Sequence, residues 1–378
     1  MSQKNASIYS TVVDFQGSRC DVSNSRRVLL GMWSVAALNW ALSPVAAFAN
    51  DLPPSLSGAV SKIVATNGIR MHYVEQGKGP LVLLCHGFPE CWYSWRHQIT
   101  VLSAAGYRVV APDLRGYGKT DSPKGVESYT IVEIVNDLIG LLDALGEKSA
   151  VIVGHDFGAV VSWNAALLHP DKFKAVAALS VPYSPRREDA PIATFQKFAK
   201  NNFFYILYFQ ETGAADEELN SQVEKGLRSF YYSASYESEL ARSQFRPPSR
   251  ATKLLETLVD PGKPPSWLSQ SDLTYYVTEF SRNGFTGPLN WYRNLDRNWE
   301  LMAQFKDAKI QVPTVFISGE RDPVRFQTKR NFDELPLNVP KLTKTVLIPE
   351  CGHWTQQEKP AQVNAALLEF LRVVTATT

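Results

Sequence analysis

The side chains best suited to chemistry in this sequence are two aspartates and one histidine. Asp156 lies within a Gly-x-Asp-x-Gly sequence, whereas Asp322 and His353 each follow a later apolar run. An aspartate can attack carbon directly and form an ester with the enzyme, which water must later break. A histidine oriented by a second carboxylate can draw the proton from that water. Together the three side chains predict hydrolysis in two steps.

The sequence around Asp156 has the spacing of a nucleophile elbow, a tight turn that joins a strand to a helix. The β-branched run at 151–153 predicts a buried strand, and the small and apolar residues after Gly158 predict a helix. The glycines are needed because a side chain at either position would crowd the turn. Taken alone, the pattern also fits a turn aspartate that caps the next helix.

Short apolar runs that alternate with helical patterns define the predicted core. The runs are too short for helices and are typical of buried parallel strands. They cover residues 81–85, 107–111, 151–153, 176–181, 314–318 and 345–348. Residues 131–145 have apolar side chains at helical spacing and precede Gly146, which predicts the helix end there. The alternation predicts an α/β fold with a mostly parallel sheet and helices on both faces.

Ligands of such sheets bind at the carboxyl ends of the strands, and the candidate residues all lie there. Along the chain the nucleophile comes first, then the acid and then the histidine. This is the order found in hydrolases that are built on such an α/β sheet. Glu320 is a competing acid, but the spacing from the strand favours Asp322. Residues 180–184, after another strand, contain no carboxylate.

Backbone N–H groups are predicted to stabilise the oxyanion formed during hydrolysis. One donor comes from the loop after the first parallel strand and one from the residue after the nucleophile. These donors are Phe88 and Phe157, and His86, Gly87 and Pro89 form the supporting loop.

The chain divides into four predicted segments. Residues 1–58 hold an export signal and a linker, and residues 59–182 form the first part of the core. Residues 183–298 are rich in aromatic and charged residues and lack valine-rich strands, so we expect an inserted helical lid. Residues 299–378 complete the core.

Several motifs together resemble the epoxide hydrolases of the α/β-hydrolase fold, over roughly residues 63–371. The core motifs, which haloalkane and fluoroacetate dehalogenases share, are His86-Gly87-Phe88-Pro89, Asp113-Leu114-Arg115-Gly116-Tyr117-Gly118, Gly154-His155-Asp156-Phe157-Gly158 and Gly352-His353-Trp354. Two lid motifs narrow the choice: Tyr205-Ile206-Leu207-Tyr208-Phe209-Gln210 and Asn290-Trp291-Tyr292-Arg293-Asn294.

The resemblance implies that two lid tyrosines hold the epoxide oxygen, and these match Tyr205 and Tyr292. Tyr208 lies one helical turn after Tyr205 and is the alternative. The implied reaction converts an epoxide and water to a 1,2-diol and requires no metal or organic cofactor. One departure is Phe157, because many members of the family have Trp after the nucleophile.

Three other functions would share parts of this pattern with an epoxide hydrolase. A haloalkane dehalogenase uses the same carboxylate ester. Enzymes of that family resemble one another in binding the leaving halide through side-chain N–H groups, and the side chains of Phe88 and Phe157 have none. A binding protein on a hydrolase scaffold would not need three catalytic residues in order. A serine esterase is disfavoured because the elbow has no serine.

Composition excludes other classes of partner. The chain has 39 basic and 37 acidic residues and a net charge of +2, so no nucleic acid partner is expected. Of its four cysteines, Cys20 lies in the predicted signal and the other three have no metal-binding spacing.

An export signal is predicted at the N-terminus. Arg26 and Arg27, which resemble a twin-arginine signal, precede an uncharged stretch at 28–50 that ends with Ala47-Phe48-Ala49, an A-x-A cleavage site. We expect a periplasmic or secreted protein with no stable membrane span once the signal is removed. The alternative is an uncleaved anchor, because the stretch is just long enough to span a bilayer.

Overall fold

The computed structural model describes residues 46–47, 52–53, 56–200, 202–242 and 252–376. Within these residues the strands are β1 (Ala46–Ala47), β2 (Val60–Thr66), β3 (Ile69–Gln76), β4 (Leu81–Cys85), β5 (Arg108–Pro112), β6 (Ala150–His155), β7 (Phe173–Leu179), β8 (Thr314–Gly319) and β9 (Leu342–Ile348). They form one sheet in the order β1-β2-β3-β5-β4-β6-β7-β8-β9. Strands β4 to β9 pair in parallel, whereas β1, β2 and β3 are antiparallel to their neighbours.

The helices fall into three groups along the chain. The first group is α1 (Arg96–Ala104), α2 (Ile131–Leu145) and α3 (Phe157–Leu168). Between β7 and β8 follow α4 (Pro191–Ala199), α5 (Tyr205–Tyr208), α6 (Ala214–Ser221), α7 (Val223–Ser233), α8 (Glu239–Arg242), α9 (Gln270–Asn283), α10 (Thr286–Arg293) and α11 (Leu295–Leu301). The last group is α12 (Pro323–Gln327), α13 (Lys329–Asp333), α14 (Leu335–Asn338), α15 (Thr355–Glu358) and α16 (Pro360–Thr375).

The central strands form because their side chains are apolar on both faces. Every residue of β4 and of β6 is buried, as expected for parallel strands covered by helices on both sides. Helices α2 and α3 contact each other, as do α1 and α16, and these pairs pack on the sheet. The predicted α/β architecture is therefore confirmed.

Helix α2 has the predicted bounds because both of its ends are capped. The Thr130 side chain accepts a hydrogen bond from Glu133 N at 3.3 Å, and Gly146 takes the left-handed conformation with φ of 72°. Strand β7 ends at Leu179, two residues before the predicted end, because Ser180 has a φ of 71° and leaves the extended conformation.

The chain between β7 and β8 contains helices and turns but no strand among its described residues. The predicted lid at 183–298 falls within this insertion. The predicted signal lies outside the described residues, except for Ala46 and Ala47. In the part of the chain that the structure describes, no helix combines the length and apolarity needed to cross a bilayer.

Candidate active site

The nucleophile elbow forms between β6 and α3, and Asp156 occupies its tip. Asp156 has a φ of 52° and a ψ of −120°, which is strained for a residue with a side chain. The glycines on either side allow this close approach. A Cβ on Gly154 would lie 2.0 Å from the carbonyl oxygen of Gly158, and one on Gly158 would lie 2.0 Å from that of Cys85. The elbow predicted from the sequence is therefore present.

The loop after β4 reaches the carboxylate of Asp156, as predicted. The Phe88 N–H donates to Asp156 Oδ1 at 2.9 Å. Phe157 is the first residue of α3, and N–H groups in the first turn of a helix have no acceptor within the helix. The N–H groups of both predicted donors therefore flank the nucleophile.

Three hydrogen bonds fix the loop that carries Phe88. His86 Nε2 accepts a hydrogen bond from Leu114 N at 3.0 Å. The Gly87 N–H donates to Glu90 Oε2 at 2.9 Å. The hydroxyl of Tyr231 donates to the Pro89 carbonyl at 2.7 Å. The predicted supporting residues thus hold the donor in place through their backbone and ring atoms.

His353 lies between the two aspartates. Its Nδ1 is 3.0 Å from Asp322 Oδ1, and its Nε2 is 3.5 Å from Asp156 Oδ2. Asp322 is fully buried and also accepts a hydrogen bond from Val324 N at 2.9 Å. Glu320, the competing acid, is exposed to solvent. The structure thus brings together the three residues in the predicted arrangement, with Asp322 as the acid.

Charges around His353 control its protonation. Burial by itself lowers the pKa of His353, but Asp322 and Asp156 outweigh it and raise the pKa well above its ordinary value. The two neighbouring carboxylates therefore favour the protonated form of the imidazole.

Tyr205 and Tyr292 lie together on the lid side of the site, with their ring centroids 6.1 Å apart. Burial and the charge of Asp156 raise the pKa of both phenols, so both keep their protons. Tyr208 instead donates to Glu218 Oε2 at 2.9 Å. Of the two candidates on α5, Tyr205 is thus the one that accompanies Tyr292.

A cavity of about 70 Å³ separates these tyrosines from Asp156 and His353. Apart from these four residues its wall is mostly apolar, formed by Phe88, Phe230, Ala234, Leu254, Leu258, Pro323, Val324, Gln327 and Trp354. Neither tyrosine hydroxyl forms a hydrogen bond to another described residue. The carboxylate of Asp156, the imidazole of His353 and the two phenols therefore line one cavity.

Comparison with known proteins agrees with this geometry. The model of the α/β-hydrolase fold family matches residues 80–360. The chain is 46% identical over 318 residues to epoxide hydrolase A of Mycobacterium tuberculosis, covering 84% of this chain and 98% of the relative. It is 41% identical to epoxide hydrolase 3 of Siraitia grosvenorii, covering 82% and 96%.

Solved structures lead to the same family. The crystal structure of epoxide hydrolase A from Mycobacterium thermoresistibile superposes with a TM-score of 0.78 at 46% identity, covering 82% of this chain and 98% of that one. An epoxide hydrolase from an endophytic Streptomyces gives a TM-score of 0.81 at 42% identity, covering 85% and 97%. The chain belongs to the epoxide hydrolases of the α/β-hydrolase fold.

This epoxide hydrolase also contains a buried polar network that the sequence analysis did not assign. His155 Nδ1 is 2.7 Å from Glu90 Oε2, and His155 Nε2 is 2.8 Å from the carbonyl oxygen of His353. Burial raises the pKa of Glu90, but His155 and the Gly87 N–H outweigh it and lower the pKa to about 2. The network joins the loops that carry Phe88, Asp156 and His353. His155 lies inside one sequence motif and Glu90 directly follows another, and this position was the one available signal.

Two tryptophans among the described residues of this epoxide hydrolase, Trp354 and Trp291, lie at or beside the site, and backbone carbonyls accept their indole N–H groups. Trp354 is the one tryptophan among the described residues that line the cavity, and its Nε1 donates to the Tyr231 carbonyl at 2.9 Å. Trp291 contacts Phe157 but donates to the Arg115 carbonyl at 3.0 Å. Within the same residues, no group of three or more His, Cys, Asp or Glu side chains could hold a metal ion.

Proposed function

We propose that the protein converts an epoxide to a 1,2-diol through an ester on Asp156. In the first step a carboxylate oxygen of Asp156 bonds to a ring carbon, and the bond from that carbon to the ring oxygen breaks. Negative charge develops on the released oxygen. Tyr205 and Tyr292 donate hydrogen bonds to it, and a proton from a phenol neutralises it.

The two oxygens of Asp156 have different surroundings, and this observation carries the proposal. Oδ1 accepts the Phe88 N–H at 2.9 Å, whereas Oδ2 is 3.5 Å from His353 Nε2. A bound N–H lowers the nucleophilicity of Oδ1 and places it where a later oxyanion needs a donor. Oδ2 is therefore the oxygen that attacks the epoxide.

In the second step water breaks the ester. His353, oriented by Asp322, takes a proton from water, and the oxygen of that water bonds to the carbonyl carbon of the ester. The resulting charge falls on Oδ1, where the N–H groups of Phe88 and Phe157 stabilise it. Collapse releases the alkoxide, which takes the proton from His353 and leaves as the diol. Asp156 is left as a carboxylic acid, and its proton returns to the phenolate formed in the first step, so that the carboxylate and both phenols are restored.

The ester itself prepares the base for this second step. While Asp156 is charged, it and Asp322 keep the pKa of His353 high. Alkylation removes the charge of Asp156 and leaves one neighbouring carboxylate, so the pKa of His353 falls. The imidazole then loses its proton at the stage that requires a neutral base.

Epoxide opening is favoured over dehalogenation by the kind of donor that faces Asp156. An alkoxide needs a proton as it forms, and a phenol with a pKa raised above its usual value of about 10 still supplies one. A halide leaves as a stable anion that needs hydrogen bonds but no proton. The tyrosines provide what the epoxide needs, whereas the indole N–H groups of Trp291 and Trp354 are engaged by carbonyls.

The experiment that tests this function is trapping of the ester. His353→Gln removes the base but leaves Asp156 and the tyrosines, so incubation with an aryl or alkyl epoxide should add the mass of the epoxide to the peptide that contains Asp156. Asp156→Ala should add no mass and form no diol. Full turnover by His353→Gln, or release of halide from matched haloalkanes in place of diol from epoxides, would contradict the proposal.

We also propose that the protein is exported. Arg26 and Arg27 before the uncharged stretch at 28–50, and the Ala47-Phe48-Ala49 site, support this. Cleavage there would remove β1, the two-residue outermost strand. The mature N-terminus, determined by sequencing protein from each cell fraction of the host, should lie near Asn50. A cytoplasmic protein that begins at Met1 or Ser2 would contradict export, and a membrane-bound chain of full length would indicate an anchor.

A further inference from the structure

The loop that carries His353 is joined to the lid directly behind the base. The His353 N–H donates to the carbonyl of Ala234, which follows lid helix α7, at 2.9 Å. Gly352 packs against the same lid segment so closely that a Cβ there would lie 2.5 Å from both Ala234 O and Tyr236 N. The base loop and the lid segment 234–236 are therefore in direct backbone contact.

One carboxylate joins these two segments a second time. Glu358, the last residue of α15, turns its side chain back toward the base loop. Its Oε2 accepts the N–H groups of Gly352 at 2.9 Å and Tyr236 at 3.0 Å, and its Oε1 accepts that of Trp354 at 3.0 Å. Glu358 thus binds the residues on both sides of His353 and the lid with the same carboxylate.

We infer that Glu358 is a positioning residue for the base and that it makes the hydrolysis step dependent on the lid. Glu358 does not line the cavity, and its three bonds all go to backbone N–H groups. Burial raises the pKa of Glu358 to about 7, although the three N–H groups oppose this shift. The ionised form accepts all three bonds, and it does so about twice as strongly as a neutral group would. The inference rests on the proposed ester mechanism, in which His353 acts in the second step alone.

The change Glu358→Gln keeps the size of the side chain but places an NH₂ group against backbone donors. At least one of the three bonds is then replaced by a contact between two donors. His353 should shift relative to the ester while Asp156, Tyr205 and Tyr292 keep their positions. A misplacement of about 1 Å can cost on the order of 100-fold in rate.

The experiment is single-turnover kinetics of ester formation and ester decay, followed by the mass of the peptide that contains Asp156. We expect Glu358→Gln to form the ester at the parental rate and to hydrolyse it roughly 10- to 100-fold more slowly. Gly352→Ala should have the same effect, because its Cβ forces the base loop and the lid segment apart. Glu358→Asp, which keeps the charge, should recover part of the rate.

A matched control distinguishes positioning from general loss of stability. Glu218 is also a carboxylate with three donors, the hydroxyl of Tyr208 and the N–H groups of Leu254 and Leu255, but it lies within the lid. Glu218→Gln should lower the thermal stability to a similar degree and leave ester decay at the parental rate.

The possible results separate this inference from the proposed function. If the parent and His353→Gln form no ester on the Asp156 peptide, the ester mechanism itself is wrong. If the ester forms and folded Glu358→Gln and Gly352→Ala both hydrolyse it as fast as the parent, or slow both steps equally, the inference alone is wrong.

Discussion

The triad of Asp156, Asp322 and His353 is fixed by hydrogen bonds, whereas the two lid tyrosines are fixed by aromatic packing. Each member of the triad has a polar partner within 3.0 Å, and loops at the ends of β4, β6, β8 and β9 supply the catalytic groups. Tyr292 instead has edge-to-face contacts, with ring centroids 4.6 Å from Phe157, 5.4 Å from Phe88 and 4.9 Å from Phe209.

The difference follows from the chemical roles that we propose for the triad and for the two tyrosines. A base and its aspartate have to keep one orientation through a proton transfer, and hydrogen bonds between buried groups impose that orientation. A donor to a transient oxyanion has to keep its own O–H unoccupied until charge appears. Packing of the ring positions a phenol without engaging its hydroxyl. Changes on the lid side should therefore affect alkylation, and changes on the triad side should affect hydrolysis.

The largest expected effect is that of removing both phenol donors. Tyr205→Phe or Tyr292→Phe keeps the ring packing and should slow ester formation roughly 100- to 1000-fold, because each phenol is a donor to developing oxyanion charge. The double variant should nearly abolish it. Stopped-flow or quenched single turnovers measure this rate. Tyr208→Phe is the matched control, since its hydroxyl binds Glu218, and it should alkylate normally. A double variant as fast as the parent would leave the dehalogenase interpretation standing.

On the other side, Asp322→Asn should slow ester decay about 100-fold or more and spare ester formation, since it removes the carboxylate that orients and charges His353. The amide oxygen can still accept the Val324 N–H, so the loop should fold. The rate of loss of the labelled peptide provides the measurement. Glu320→Gln, two residues away and exposed, should have no effect. Equal slowing of ester formation and ester decay would contradict the proposed division of roles between the triad and the lid tyrosines.

A smaller effect is expected from the packing that holds the tyrosines. Phe209 is fully buried, with its ring centroid 5.5 Å from Tyr205 and 4.9 Å from Tyr292. Phe209→Leu loses edge-to-face contacts worth about 0.5 to 1.5 kcal/mol each, and it should slow ester formation by up to about 10-fold. Phe332→Leu removes a similar contact with Phe316 away from the cavity and should change stability alone. Unchanged alkylation in Phe209→Leu would show that the rings are held by other contacts.

The smallest effect is on the pH dependence of stability. The folded-state pKa of His353 is raised, so its ionisation stabilises the fold fully below the unfolded pKa of about 6.5, and this contribution is lost as pH rises through the folded pKa. Thermal denaturation at increasing pH above about 6.5 should show a decline in Tm for the parent. The decline should be weaker in His353→Gln, and identical slopes would contradict the raised pKa.

The candidate catalytic residues of the core could be located from the sequence because each follows a largely apolar strand. Strand β4 was predicted with its observed bounds, since every one of its residues is buried. Strands β2 and β3 were not predicted, because the two buried residues of β2, Ser61 and Thr66, are polar and the strand contains Lys62. These strands pair antiparallel and lie outside the sequence motifs, so no continuous apolar run indicated them.

The orientation of side chains in the lid could not be predicted from spacing. Tyr205 and Tyr208 lie on the same one-turn helix, and it was the bond of Tyr208 to Glu218 that distinguished them. The roles of Glu358 and His155 were even harder to predict from the sequence. Apart from Glu90, which pairs with His155, their partners are backbone groups such as the Tyr236 N–H and the His353 carbonyl, and backbone groups have no residue type to identify them.

The lid occupies the crossover between β7 and β8, which pair as parallel neighbours. A parallel pair always needs a connection of a dozen or more residues, and doubling a flexible connection costs only about 0.6 kcal/mol. Evolution or engineering can therefore exchange this crossover to change substrate range without altering the register of the sheet. A transplanted lid must still supply backbone groups equivalent to Ala234 and Tyr236, or the chimaera will capture epoxide once and retain it as the ester.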